Sequence, residues 1–93
     1  MTDTTRPDPE TPDVELRRLR LRSWRRGMRE MDLILGAFAD AELAPMPAAG
    51  REAYRAFLDE NDQALYAWVT AAEAAPARHR AMVARIRAFH CID

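Results

Sequence analysis

A lone glycine does most to limit what this chain can fold into. Gly27 stands inside WRRGMREMDLIL, residues 24–35, between two runs of helical apolar spacing. An interior glycine costs a helix roughly 1 kcal/mol against alanine, so Gly27 is expected where one helix gives way to the next. Before it, Leu16, Leu19 and Ser23 share one stripe, and Leu21, Trp24 and Met28 a neighbouring one. After it, Met28, Met31, Leu35 and Phe38 form a seam widened by Ile34 and Ala41.

The remaining helices follow from the same spacing. The first is expected to start near Asp13, as N-cap, with Glu15 in its first turn, and to end around residues 25–27. The second runs from about Met28 to Leu43, with Gly36 inside it at a close crossing, and is stopped by Pro45 and Pro47. A third, from around residues 48–51, buries Tyr54, Phe57 and Leu58. The acidic stretch Asp59, Glu60, Asn61, Asp62 marks a turn, and Asp62 caps a fourth helix carrying Leu65, Trp68, Val69 and Ala72. Pro76 suits the first turn of a fifth, whose stripe is Met82, Val83, Ile86 and Phe89. No segment alternates with period two over a useful length. The expected fold is all-α, a compact single-domain bundle of about five short helices over residues 14–90. Residues 1–13, acidic and rich in proline, are expected to be a disordered leader.

Charge is distributed unevenly. The 93 residues carry a formal net charge of -1, which implies no polyanion partner in bulk. Yet there is no lysine, and seven of the fourteen arginines (Arg17, Arg18, Arg20, Arg22, Arg25, Arg26 and Arg29) fall in one acid-free stretch. A GC-rich genome accounts for the arginine bias equally well. The run itself reads as a solvated face, a nucleic-acid contact or a protein-docking surface; no aromatic stacking position except Trp24 interleaves it.

One cysteine, Cys91, forms no internal disulfide, and His79 and His90 lack a second ligand type at metal spacing, so no metal site is expected. No apolar run reaches membrane-spanning length, and the first residues lack a signal core or an arginine-rich, acid-poor transit composition. A bacterial cytosolic protein without membrane insertion is expected. No paired carboxylates, catalytic triad or phosphate loop is evident, so the chain is not expected to be an enzyme.

If residues 26–35 continue as one helix, Arg26 and Glu30 lie about 40° apart and Gly27 about 60° from Glu30. That puts Arg26, Gly27 and Glu30 on the solvent face, opposite the methionine seam. A glycine there leaves bare backbone that a partner can approach closely. The alternative is equally physical: Gly27 ends a helix in a left-handed conformation, and Arg26 with Glu30 is an exposed pair worth a few tenths of a kcal/mol.

The octapeptide RRGMREMD, residues 25–32, resembles the RGxxE-type signature of the SdhE-type FAD assembly factors, the succinate dehydrogenase flavinylation family, which has a mitochondrial counterpart. The resemblance extends to the Ser23-Trp24 pair, the DLILGAFAD helix and FLDENDQALYAWV, with Leu58, Leu65 and Trp68 in the family's pattern, and covers Val14 to Phe89. Two departures fall in the turn: Gln63 follows Asp62 where proline is common, and Asn61 stands where an acid is frequent. The resemblance implies an assembly factor, not a turnover enzyme. It would bind, as a monomer, the flavoprotein subunit of succinate dehydrogenase or fumarate reductase and promote covalent attachment of FAD to a histidine there. FAD would be the client's cofactor, with none bound stably by this chain. Arg26, Gly27 and Glu30 would form the client-binding core, with Arg22, Arg25, Arg29 and Asp32 as supporting surface. The rival is a nucleic-acid or regulatory module using the arginine-rich helix.

Overall fold

The computed structural model describes residues 12–92, so most of the expected leader lies outside the described residues. Five helices follow one another: α1 Pro12–Trp24, α2 Arg29–Glu42, α3 Ala48–Leu58, α4 Asp62–Val69 and α5 Ala77–Phe89. No strand occurs among the described residues, as the spacing predicts. α1 begins at Pro12, slightly ahead of the expected Asp13 cap; a helix tolerates proline in its first turn, where no intrahelical N–H bond is lost.

α1 and α2 pack antiparallel: Trp24 lies over Gly36, and Arg20 reaches Asp40. Gly36 is needed for that crossing. A Cβ there would sit 2.2 Å from the Trp24 ring, and the indole Nε1–H donates to Asp40 Oδ2 at 3.1 Å. The close approach is of an aromatic ring to a helix backbone.

The core gathers one stripe from each helix. Leu19 of α1, Met31, Leu35 and Phe38 of α2, Tyr54, Phe57 and Leu58 of α3, Leu65 and Val69 of α4, and Met82, Val83 and Ile86 of α5 are buried. Each such side chain contributes about 1.5–3 kcal/mol by leaving water. Met28 and Ile34 pack on the edge. The second α1 stripe does not follow: Leu21 is half exposed and Trp24 more than a third, because the helix ends at Trp24 and its neighbour covers only one side. Ala41 is likewise exposed.

α4 departs from expectation at both ends. Its N-cap is Asn61, whose side chain accepts from Ala64 N–H at 2.8 Å, and Asp62 is the first helical residue. The helix stops at Val69: Thr70 Oγ1–H donates to Tyr66 O at 2.7 Å, and Ala71 takes φ +64°, leaving Ala72 exposed outside the helix. Phe89 remains over a third exposed, its ring edge-on to Phe38.

Polar ties also join α1 to α3. Glu15 of α1 pairs with Arg51 at 3.1 Å and with Arg55, both on α3. Within the core, Ser23 and Tyr54 share a hydrogen bond of 2.6 Å. No helix among the described residues is long and apolar enough to cross a membrane.

Candidate functional site

α1 stops at Trp24 and α2 starts at Arg29, leaving residues 25–28 as a linker. Gly27 explains the break: its φ of +95° lies where side-chain-bearing residues are rare. The helix does not continue through residues 26–30, so Arg26 and Glu30 do not pair across one helical turn.

Arg26 turns inward, correcting its expected place on the solvent face. Its guanidinium fills the gap between the end of α3 and the start of α4. Nε–H donates to Asp62 Oδ1 at 2.7 Å, Nη1 to Leu58 O at 2.6 Å and Nη2 to Glu60 O at 2.7 Å. Leu58 O belongs to the last turn of α3, where carbonyls lack helical partners and a cation is favoured. Asp62 sits in the first turn of α4, where a carboxylate is favoured. The two side chains are only 12% and 21% exposed, which makes this the most sheltered of the arginine–carboxylate pairs on the turn.

Two of the expected supporting residues are also engaged within the chain. Asp32 Oδ1 accepts the backbone N–H of Arg26 at 2.6 Å, fixing the linker from the α2 side. Arg22 pairs with Asp59 at 2.9 Å, but both side chains are well exposed and the pair adds little. Glu60 Oε2 meets Arg78 at 2.9 Å and His79 Nε2 at 2.8 Å. The His79 hydrogen bond, then that of Arg78, holds the Glu60 carboxyl below its ordinary range. His79 is buried between Phe57 and Trp68, with ring centroids 5.5 and 5.6 Å away.

The outer side of the linker is different. A Cβ on Gly27 would meet no atom within 4 Å. Arg25, Arg29 and Glu30 are exposed and make no hydrogen bond or ion pair among the described residues. Leu33, one turn on from Arg29 and Glu30, is 53% exposed. Met31, between them, is fully buried. Bare backbone, two uncommitted guanidinium groups, a carboxylate and an apolar side chain are thus exposed on the linker and the first turns of α2, a composition suited to gripping another protein.

Sequence reasoning overlooked Asp62 as the partner of Arg26 and His79 as a core residue. For His79 a signal existed: with Met82, Val83 and Ile86 it completes an i, i+3, i+4, i+7 stripe. Among the described residues no group of three or more His, Cys, Asp or Glu side chains is arranged to hold a metal ion. An open cleft of about 410 Å³ beside Trp68, Ala75, Val83 and Ala84 shares no residue with the linker.

The sequence profile of the family described as flavinator of succinate dehydrogenase matches residues 17–90. Among curated relatives, the mitochondrial succinate dehydrogenase assembly factor 2 of Aspergillus terreus is 47% identical over 53 residues, 57% of this chain and 18% of that protein. Its namesake from Mycosarcoma maydis is 35% identical over 71 residues, 76% of this chain and 30% of the relative. That of Schizosaccharomyces pombe is 36% identical over 67 residues, 72% and 48% respectively. The chain therefore spans less than half the length of each of these relatives. No solved structure matches it. The relatives are mitochondrial proteins of fungi, which overturns the expectation of a bacterial cytosolic protein. A single cysteine fits any reducing compartment, and an acidic stretch at the start of a chain that spans only part of its relatives does not report a destination.

Proposed function

We propose, because this chain belongs to the succinate dehydrogenase flavinator family, that it is an assembly factor rather than an enzyme. Its client is the flavoprotein subunit of succinate dehydrogenase or the related fumarate reductase, and it promotes covalent attachment of FAD to that subunit. FAD is the client's cofactor; this chain holds none of its own.

The observation that carries the docking side of this reading is the open backbone at Gly27. A client segment can approach the linker to van der Waals contact there, with Arg25 and Arg29 binding its carboxylates or carbonyls and Glu30 holding an amide or side chain. The chemistry asked of the factor is positioning. Attachment joins a client histidine to the flavin, and aligning reactants alone lowers a barrier by several kcal/mol. An exposed carboxylate such as Glu30 is better suited to fixing a client group than to moving a proton.

The arginine run does not favour the nucleic-acid alternative. Arg20, Arg22 and Arg26 are directed to Asp40, Asp59 and Asp62 within the chain, so the seven arginines form no continuous stripe of phosphate-binding cations.

A tagged pull-down from the native host, with covalent flavin in the client read in-gel in a deletion strain, tests the proposal. Wild type should retain the flavoprotein subunit and restore covalent flavin. Gly27→Arg should do neither, and unchanged complex formation by that variant would contradict the close-approach argument.

A further inference from the structure

We infer that Asp62, assisted by Asp32, is a positioning residue for the Gly27 loop and acts on it through Arg26. This rests on the reading of that loop as the client contact.

Residues 25–28 belong to no helix, and the left-handed turn at Gly27 gives them no regular hydrogen-bond ladder. What fixes them is Arg26, from two sides. Its backbone N–H is held by Asp32 of α2, and its guanidinium by Asp62 and two main-chain carbonyls of the α3–α4 turn. Nε, Nη1 and Nη2 each have a short, charge-assisted bond, and the side chain is almost wholly sheltered. A client cannot claim this guanidinium without breaking the clamp. The two residues flanking Arg26 in sequence, Arg25 and Gly27, are exposed. Arg26 thus sets where its neighbours point.

Among the described residues, Asp62 supplies the only charged side-chain partner of the Arg26 guanidinium, Asp32 holding the backbone N–H instead. Asp62 is also not needed to cap α4, because Asn61 accepts the Ala64 N–H. Its carboxylate is therefore committed to a residue 36 positions away rather than to its own helix. Removing it should loosen the loop while leaving α4 capped and the core intact.

The test uses the full chain with Asp62→Ala, Asp62→Asn and Gly27→Arg, and the purified flavoprotein subunit of succinate dehydrogenase. In the free protein, Asp62→Ala should accelerate amide hydrogen exchange at residues 26–30 by roughly tenfold or more, the scale of one lost charge-assisted bond. Exchange at Leu35, Phe38 and Ile86 should not change. The same variant should bind the subunit roughly tenfold more weakly. Asp62→Asn, which keeps an acceptor for the Arg26 Nε–H, should fall between it and wild type. Unchanged loop exchange in Asp62→Ala would overturn the inference. So would unchanged client affinity in Asp62→Ala while Gly27→Arg has lost it. Full affinity in Gly27→Arg would instead remove the docking reading itself, and the inference with it.

Discussion

Tyr54 and Ser23 share a hydrogen bond between their hydroxyls inside the bundle. The two oxygens are 2.6 Å apart, and Ser23 Oγ also lies within hydrogen-bond distance of Leu19 O, at 2.7 Å. Both residues are fully buried, and the bond ties α1 to α3 where apolar contacts alone would leave two polar groups unpaired. Ser23→Ala leaves Tyr54 with only Leu35 O, at 3.4 Å, and should cost about 1–2 kcal/mol. Tyr54→Phe should cost a similar amount, and the double variant less than the sum by about 0.5 kcal/mol or more. Urea unfolding of the four proteins measures the coupling.

The same tyrosine gives the fold an alkaline limit. Burial pushes the Tyr54 pKa from 10.0 up to about 12, against the smaller opposing effects of the Ser23 bond and the Arg26 and Arg22 charges. Raised in the folded state, this group contributes fully below its unfolded value and loses that contribution as pH climbs toward the folded one. Stability should therefore fall by on the order of 3 kcal/mol between about pH 10 and pH 12. Tyr54→Phe should flatten that part of the profile.

At the acid end the sign reverses. Hydrogen bonds from His79 and Arg78 lower the Glu60 pKa below 4.5. Its contribution is present above the unfolded value and is lost as pH falls through the lower folded one. Glu60→Gln should make stability less steep below about pH 4.5 in an acid titration followed by circular dichroism.

Gly36→Ala places a methyl group inside the Trp24 ring, 2.2 Å from its nearest atom. The ring must move, breaking its bond to Asp40. A loss of about 1–3 kcal/mol is expected, with a red shift of tryptophan fluorescence as the indole enters water. An unshifted spectrum would mean the ring does not depend on the bare backbone beneath it.

Gly27→Ala is milder and acts through conformation alone. The added methyl meets nothing, but φ of +95° is unfavourable for alanine and should cost about 1–2 kcal/mol. Thermal unfolding checks the loss. Client retention by this variant should exceed that of Gly27→Arg, because a methyl group blocks far less of the approach.

Helix order was legible because apolar side chains recur at helical spacing and proline or glycine punctuates each gap. The break at Gly27 and the burial of Met31 beside an exposed Glu30 follow from the same pattern. The inward turn of Arg26 was not legible. Two of its three side-chain acceptors are main-chain carbonyls, which leave no mark on a sequence, and the third, Asp62, resembles an ordinary cap. Asn61 and Asp62 are both competent caps, and only the backbone geometry assigns the role to Asn61. Compartment was not legible either, since neither cysteine count nor surface charge encodes it.

The short turn over residues 59–61, with Asp62 at the head of α4, is gripped from three directions: Arg22 comes from α1, Arg26 from the linker, and Arg78 with His79 from α5. The two ends of the bundle thus meet on one knot in its middle. Peeling away the last helix strips Glu60 of its partners and slackens the same turn that anchors Arg26. Such a chain should come apart in a single step, with no half-built stage in which the exposed corner is already shaped while the final helix is still loose.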